Sequence, residues 1–413
     1  MSGAGSKTKL KAMVVQTGAR RGYALPRMLE QAGCLESFHT SLAFTDPPGG
    51  ITSVARMLFP SRRATINRRT VREVPPSKVH SSLSSDIARF LNVRKSGSAL
   101  TGRLAQSHQL GQRTIGRIDT AANVAFIVDD SGGPELMKAL RAAGIPIAVD
   151  IVVTPMAHEQ TAAAVEDWPN WKTTVYSTEE RQRYLEMYDE TVGLADLVMY
   201  PSEGVLEGLR CLSSFDESKS RHVPYALGAI DPLQPSPKQG RVFFAGSDPV
   251  RKGLPYLAAA SKALRAEGRD YKFIIAGAIP QHIQELDDCS ELQFLGHVSR
   301  DEMARQMSMA DVFCLPSLAE GTAGVTLEAL ASGLPIVVTK SAGAPVTDRH
   351  NGLIVKERSV DDISTALVDV IEDRDLRQQL SANALAGRAE FSQAVVRQKL
   401  VDALSSLLPQ GET

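Results

Sequence analysis

Residues 310–340, ADVFCLPSLAEGTAGVTLEALASGLPIVVTK, leave the chain few choices of fold. Asp311 opens a four-residue apolar run, Val312–Leu315, and Pro316-Ser317 closes it. A small, polar stretch with glycines at 321 and 324 follows. From 325 to 331 the spacing turns helical, Gly333-Leu334-Pro335 stops the helix, and Ile336-Val337-Val338 reads as a buried strand. Strand, loop, helix, strand in 31 residues demands a parallel sheet with a helical crossover.

Two carboxylates bracket that helix start, Glu320 in the loop and Glu328 inside the helix. Eight helical residues rise about 12 Å, and side chains lean toward the helix N-terminus, so Glu328 points back toward the space Glu320 faces. Between them lie the unpaired N–H groups of a helix start, an anion site that Gly321 and Gly324 leave open to close approach. An arbitrary pair of glutamates so spaced is solvated surface. Here the order is acceptor, anion cradle, acceptor, which complements the sugar hydroxyls, diphosphate and ribose hydroxyls of a nucleotide-sugar.

Glu320-Gly321 through Glu328-Ala329, followed by Ser332-Gly333-Leu334-Pro335-Ile336-Val337, resembles the E-x7-E signature of glycosyltransferase family 4, a family of retaining enzymes. The resemblance implies that Glu320 holds the donor sugar and Glu328 the nucleotide ribose. It also implies the GT-B fold, two Rossmann-like domains facing across a cleft.

At 413 residues the chain exceeds one ordinary core, and 43% hydrophobic with 23% charged residues is the balance of a soluble globular protein. Cys34, Cys211, Cys289 and Cys314 lie far apart without a C-x-x-C pair and read as reduced thiols of a cytosolic protein. No apolar segment precedes the first strand, so a signal peptide is not expected, and no run approaches the ~20 residues of a membrane span. The net charge of -1 hides an asymmetry, since residues 1–120 carry 19 Lys and Arg against 6 Asp and Glu. The densest part, 54–72, mixes arginines with Met57, Leu58, Phe59 and Ile66. It reads either as a solvated loop or as a surface for anionic lipid or a phosphate-bearing acceptor, giving peripheral contact with the inner face of a membrane. With no stacking platform or recognised binding motif, nucleic acid is not expected.

Along the chain, Ala12–Gln16 leads into Gly18-Ala19-Arg20-Arg21-Gly22 and a helix from Leu25, the start of a doubly wound domain. The spacing G-x-x-x-G is not a dinucleotide fingerprint, so nicotinamide binding is not expected. Residues 83–91 and 100–118 read as amphipathic helices, in the part of the family's fold where the acceptor face is built. Val124–Val128, a helix from Pro134 and the strand 145–153 alternate as a parallel sheet does. Just past that strand lie Met156, His158 and Glu159, and His158 is either an exposed loop residue or, as the resemblance suggests, a donor-sugar or acceptor contact. ADLVMYPSEG at 195–204 and RHVPYALG at 221–228 are similar to family segments at the domain junction, with Ala226 where glycine is common.

Pro-rich 232–240 reads as the linker. The expected domains are 1–236, binding the acceptor, 237–390, binding the nucleotide-sugar, and 391–413, a helix packing back on the first. After the strand 242–245, GSDPVRKGL resembles the family's phosphate loop, implying that Arg251 and Lys252 hold the donor diphosphate. An R-K-G alone is ordinary surface charge. Ser299 with Glu302 reads as a capping box, 350–355 as a hairpin-like turn, and His297 as either a neighbour of the base or a structural residue.

Glu320, His158, Arg251 and Lys252 are thus expected to carry the chemistry. Gly246, His297, Gly321, Thr322, Ala323, Gly324, Val325 and Glu328 would complete the donor site, with Gly18, Arg20 and Arg21 on the acceptor side. No D-x-D metal signature is present and no cofactor is expected. The expected activity is metal-independent transfer of a sugar to a hydroxyl of a glycan, lipid-linked or phosphate-bearing acceptor. A GT-B sugar-nucleotide epimerase and a non-catalytic nucleotide-sugar-binding scaffold remain open, and donor, acceptor, linkage and oligomeric state are not written in the sequence.

Overall fold

The computed structural model describes residues 8–46, 63–228 and 232–409. Residues 54–62 of the basic stretch 54–72 fall outside them. Two parallel sheets carry the architecture. The first has seven strands, in sheet order Val79–Ser82, Leu35–Ser41, Ala12–Gln16, Val124–Val128, Ile147–Asp150, Leu197–Tyr200 and Ser220–His222. The second has six, Leu292–Gly296, Lys272–Ala276, Arg241–Ala245, Val312–Leu315, Ile336–Thr339 and Leu353–Val355. Central strands are buried on both faces, as their continuous apolar runs require; Val312–Leu315 and Ile336–Thr339 are buried throughout. The order of each sheet reverses beside its first strand, Ala12–Gln16 or Arg241–Ala245. That places a crevice at the carboxyl ends of the strands. These are the two Rossmann-like domains of the GT-B arrangement.

Leu353–Val355 is a parallel edge strand against Ile336–Thr339, not half of a hairpin. Ser299 caps the helix Arg300–Met309 through the Glu302 N–H at 3.1 Å. The Glu302 carboxylate turns instead to Arg305 and Gln306, so the reciprocal capping bond is missing. A complete capping box forms at Ser177 and Glu180, opening the helix Thr178–Leu194.

Two segments cross between the sheets. The C-terminal helix Gln393–Ser405 lays Val396, Leu400 and Leu404 into the core of the first domain, beside the helix Ala24–Gln31. In the other direction, the helix Ala157–Asp167 leaves the first sheet and docks on the second domain. Trp171 is fully buried in that domain's core and donates to Asp288 at 3.0 Å. Asp167 accepts a forked pair from Arg358 at 2.6 and 2.7 Å and a hydroxyl from Tyr256 at 2.7 Å. In the linker, Ser236 and Lys238 donate to the Ser308 and Met309 carbonyls, tying it to the second domain. Asp311 is fully buried, paired with Arg374 at 2.8 Å and Arg377 at 2.5 Å, and accepts the Gly240 N–H. It anchors the linker, its strand and the helix Arg374–Gly387 in one polar cluster.

Candidate functional site

The strand Arg241–Ala245 ends at Gly246, where a Cβ would lie 2.1 Å from Lys252 Cδ. Absence of a side chain there lets the lysine stem run back across the strand end. Lys252 Nζ then donates to Glu320 Oε1 at 2.6 Å, and Arg251 Nη1 reaches the same oxygen at 2.8 Å. Arg251 also donates to the Ala319 carbonyl at 2.6 Å and to Asp248 at 2.8 Å, and its own carbonyl accepts the Leu318 N–H. The two loops are laced together along backbone and side chains. Burial disfavours the Arg251 charge, but Glu320 and Asp248 offset this, and its pKa stands above the usual value. Glu320 and Lys252 are each 14% exposed, a desolvated ion cluster with one face open.

Beyond Glu320 the chain turns into the helix Gly324–Ala331. Gly324 is exposed with open space around its Cα, so the first N–H groups, at Gly324 and Val325, face outward without helical partners. Ala323 is held back by its N–H to the Ala342 carbonyl. One turn on, Glu328 is half-buried, and burial raises its carboxyl pKa against the opposing pull of Arg300. Its backbone carbonyl accepts the Ser332 hydroxyl, while among the described residues no donor reaches its carboxylate.

Gly321 and Thr322 serve the domain junction. A Cβ on Gly321 would lie 1.9 Å from the Val152 carbonyl and 2.9 Å from the Tyr225 hydroxyl, both first-domain groups. The Gly321 carbonyl accepts the Ser202 hydroxyl, and Thr322 donates to the Pro201 carbonyl at 3.4 Å. A crevice of about 870 Å3 opens behind this contact, lined by Ser202, Tyr225, Thr322 and Phe391. Glu320, Arg251 and Lys252 lie outside it.

On the first-domain side His158 stands in the first turn of Ala157–Asp167, its ring edge-on to Tyr176 and Tyr184 at 4.8 and 4.6 Å. Burial first, then the charges of Arg103, Arg181 and Arg251, push its pKa down to about 4, and Glu159 opposes them. It is a neutral imidazole at physiological pH, close enough to feel Arg251 across the cleft. Arg20 and Arg21 follow Gly18, whose N–H donates to Ser41. Arg20 pairs with Asp129 at 2.8 Å, and Arg21 pairs with Asp150 at 2.6 Å while stacking 3.8 Å over the Tyr225 ring. His297 is exposed just past the strand Leu292–Gly296.

The structure therefore brings Glu320, Arg251, Lys252 and Gly246 into one cluster, next to the helix start and Glu328, with His158 opposite. Sequence reasoning missed the network beneath Arg20. Arg103 bridges Asp129 and Asp130 at 2.5 and 2.7 Å, and Tyr188 donates to Asp129. Burial first, then the Asp129 charge, hold the Tyr188 phenol well above its usual pKa. A signal existed, because Asp129-Asp130 directly follow the buried strand Val124–Val128, at the strand end where α/β sheets bind ligands. Among the described residues no three His, Cys, Asp or Glu side chains group as a metal site. No described helix is long and apolar enough to cross a membrane.

Fold and site together define a protein of GT-B architecture whose second domain sets two cations and a carboxylate beside a helix start. Residues 239–373, within the second domain, match the family described as Glycosyl transferases group 1. A GDP-mannose-dependent alpha-(1-6)-phosphatidylinositol monomannoside mannosyltransferase of Mycobacterium tuberculosis is 34% identical over 173 residues, 37% of this chain and 44% of that protein. The corresponding monoacylated-substrate mannosyltransferase of Corynebacterium glutamicum is 28% identical over 242 residues, 51% of this chain and 62% of that protein. The chain spans about half the length of these curated relatives. Among solved structures, the sucrose-phosphate synthase of Thermosynechococcus elongatus superposes over 97% of this chain and 99% of its own, with a TM-score of 0.62 and 16% identity. At that identity the likeness is one of fold.

Proposed function

We propose that the chain is a retaining glycosyltransferase that moves a hexose from a nucleotide-sugar to a hydroxyl of a lipid-linked acceptor. The observation that carries this reading is the shared Glu320 oxygen, held by Lys252 at 2.6 Å and Arg251 at 2.8 Å beside an open helix start. In the free protein the carboxylate is paired with both cations. An arriving diphosphate displaces it, taking Arg251 as a fork and Lys252 as a point charge, and frees Glu320 to accept hydrogen bonds from the sugar hydroxyls.

As the bond between sugar and diphosphate breaks, charge grows on the leaving phosphate. Arg251, Lys252 and the Gly324 and Val325 N–H groups are already in place to hold it. Glu328, half-buried without an internal donor, is suited to the ribose hydroxyls. The leaving phosphate takes the proton of the acceptor hydroxyl, so no separate base is assigned. His158 lines the acceptor side as a neutral hydrogen-bonding group. Names of the two relatives specify GDP-mannose as donor and a phosphatidylinositol mannoside as acceptor, which makes GDP-mannose the first donor to try.

The test is thermal stabilisation of the full chain by GDP-mannose, UDP-glucose and the matching diphosphates, followed by diphosphate release in the presence of lipid acceptors. Ligand at 100 times its dissociation constant adds about 2.7 kcal/mol. No stabilisation by any nucleotide-sugar at millimolar concentration refutes the donor site, and conversion of donor without acceptor replaces transfer by epimerisation.

A further inference from the structure

A second pocket lies on the other side of the first sheet from the C-terminal helix. The strands Leu35–Ser41 and Val79–Ser82 run side by side, setting His39 against His80 with ring centroids 4.7 Å apart. The helix Ala99–Ile115 closes over them, bringing Arg113 and, just past its end, Arg117. Together with Ser81 and Ser82 these side chains line a cavity of about 230 Å3, below the roughly 300–1,000 Å3 typical of sites for larger ligands. His39 is 2% exposed, and its Nε2 has no hydrogen-bond partner among the described residues. Burial holds the His39 ring at a pKa of about 3 and lowers His80 too, with Arg117 acting on both in the same direction and Asp119 opposing at His80. Two neutral imidazoles, two arginines and serine hydroxyls converge on one small volume, a donor set suited to a phosphoryl group.

The rim of this pocket continues into an apolar surface. Leu83 both lines the cavity and begins the helix Leu83–Ser96. Leu83, Ile87, Phe90 and Leu91 recur on one helical face, 49–62% exposed. This is the outward face of a helix whose other side packs on Ala99–Ile115. Arg89, Arg94 and Lys95 flank it, exposed, within the first 120 residues, which carry 19 basic against 6 acidic residues. An apolar stripe edged by cations is the pattern of a helix that lies in a bilayer interface.

We propose that this face docks on an anionic membrane, with the phosphate of a lipid headgroup seated between His39, His80, Arg113 and Arg117 and hydrocarbon against Leu83, Ile87, Phe90 and Leu91. The site is separate from the Glu320 cluster, and the proposal does not rest on the sugar chemistry. Anchoring the first domain this way would hold the protein at a lipid surface independently of donor binding.

The test is sedimentation of the full chain with phosphatidylglycerol–phosphatidylcholine vesicles against pure phosphatidylcholine, at low and high salt. Arg113→Ala/Arg117→Ala and Ile87→Ser/Phe90→Ser are compared with the wild type. All four substituted side chains are exposed, and an unchanged melting temperature certifies folding. Binding to anionic vesicles only is expected, weakened roughly five-fold per arginine removed and more than ten-fold by the serine pair. Equal binding to neutral vesicles, or anionic binding indifferent to both variants, overturns the proposal. A third arm follows the His39 and His80 ring signals by NMR. A shift with soluble dihexanoyl phosphatidic acid, lost in the arginine variant, supports the headgroup site. Saturation by inorganic phosphate without vesicle binding shows a free-phosphate site and overturns the lipid assignment.

Discussion

Glu320→Gln separates the two tasks given to this carboxylate. In the free protein its Oε1 accepts from Lys252 at 2.6 Å and Arg251 at 2.8 Å. Hydrogen bonds to charged groups contribute about 1.5–3 kcal/mol each, against about 0.5–1.5 for neutral ones. The amide keeps shape and one acceptor but no charge, so each contact weakens by about 1–1.5 kcal/mol and the free protein by roughly 2–3 kcal/mol. For a domain of 150–250 residues each kcal/mol moves the melting temperature about 2–4 °C. Lys252, left without a counterion, and Arg251, left with Asp248 alone, should take a nucleoside diphosphate more tightly, by about 1–2 kcal/mol, or 5–30-fold. Turnover with the sugar-bearing donor should fall, because an amide is a poorer acceptor for the sugar hydroxyls. Differential scanning fluorimetry, calorimetric titration with GDP and UDP, and a diphosphate-release assay read the three quantities. Unchanged or weaker diphosphate affinity at wild-type melting temperature would refute the idea that Glu320 and phosphate compete for the same cations.

Glu328→Gln should behave oppositely. Burial raises the Glu328 pKa in the fold, so the stabilising preference is complete below the unfolded value near 4.5 and is lost as pH rises through the folded pKa. At pH 7 the charged form burdens the fold, and the amide should raise the melting temperature while weakening nucleotide binding by about 1.5–3 kcal/mol; a lower melting temperature with unchanged affinity contradicts this. His158 has a folded pKa near 4, below the unfolded ~6.5. Its contribution is intact above pH 6.5 and lost as pH falls from there toward 4, so His158→Gln should flatten the acid limb of the stability curve, as urea titrations from pH 4 to 7 would show. A Cβ at Gly321 collides with the Val152 carbonyl. Gly321→Ala should separate the domains, abolishing turnover but sparing diphosphate binding to the second; wild-type turnover and small-angle scattering would refute the closeness of that contact. Asp311→Ala leaves Arg374 and Arg377 without their buried partner and should cost about 3–5 kcal/mol in chemical denaturation.

These substitutions also trace how far residue order reaches. Val312–Leu315, the loop after it, Gly324–Ala331 and Ile336–Thr339 were readable because apolar spacing, a glycine loop and a helix stop act over a few residues, and the structure forms them in place. Glu320, Glu328, Arg251 and Lys252 each sit where a local rule puts them, at a strand end or a helix start. Only the tertiary structure decided that Lys252 and Glu320, 68 positions apart, share a hydrogen bond. That contact depends on Arg241–Ala245 and Val312–Leu315 being neighbours in the sheet, which pairing across the core determines. For the same reason the network of Arg20, Arg103, Asp129 and Tyr188, the burial of Trp171 in the opposite domain and the exposed face of Leu83–Ser96 were not legible. Periodicity reports that a helix has an apolar side. Whether another element covers that side depends on how distant segments pack, and in this fold the Leu83 stripe is left facing outward beside a pocket lined by His39 and His80.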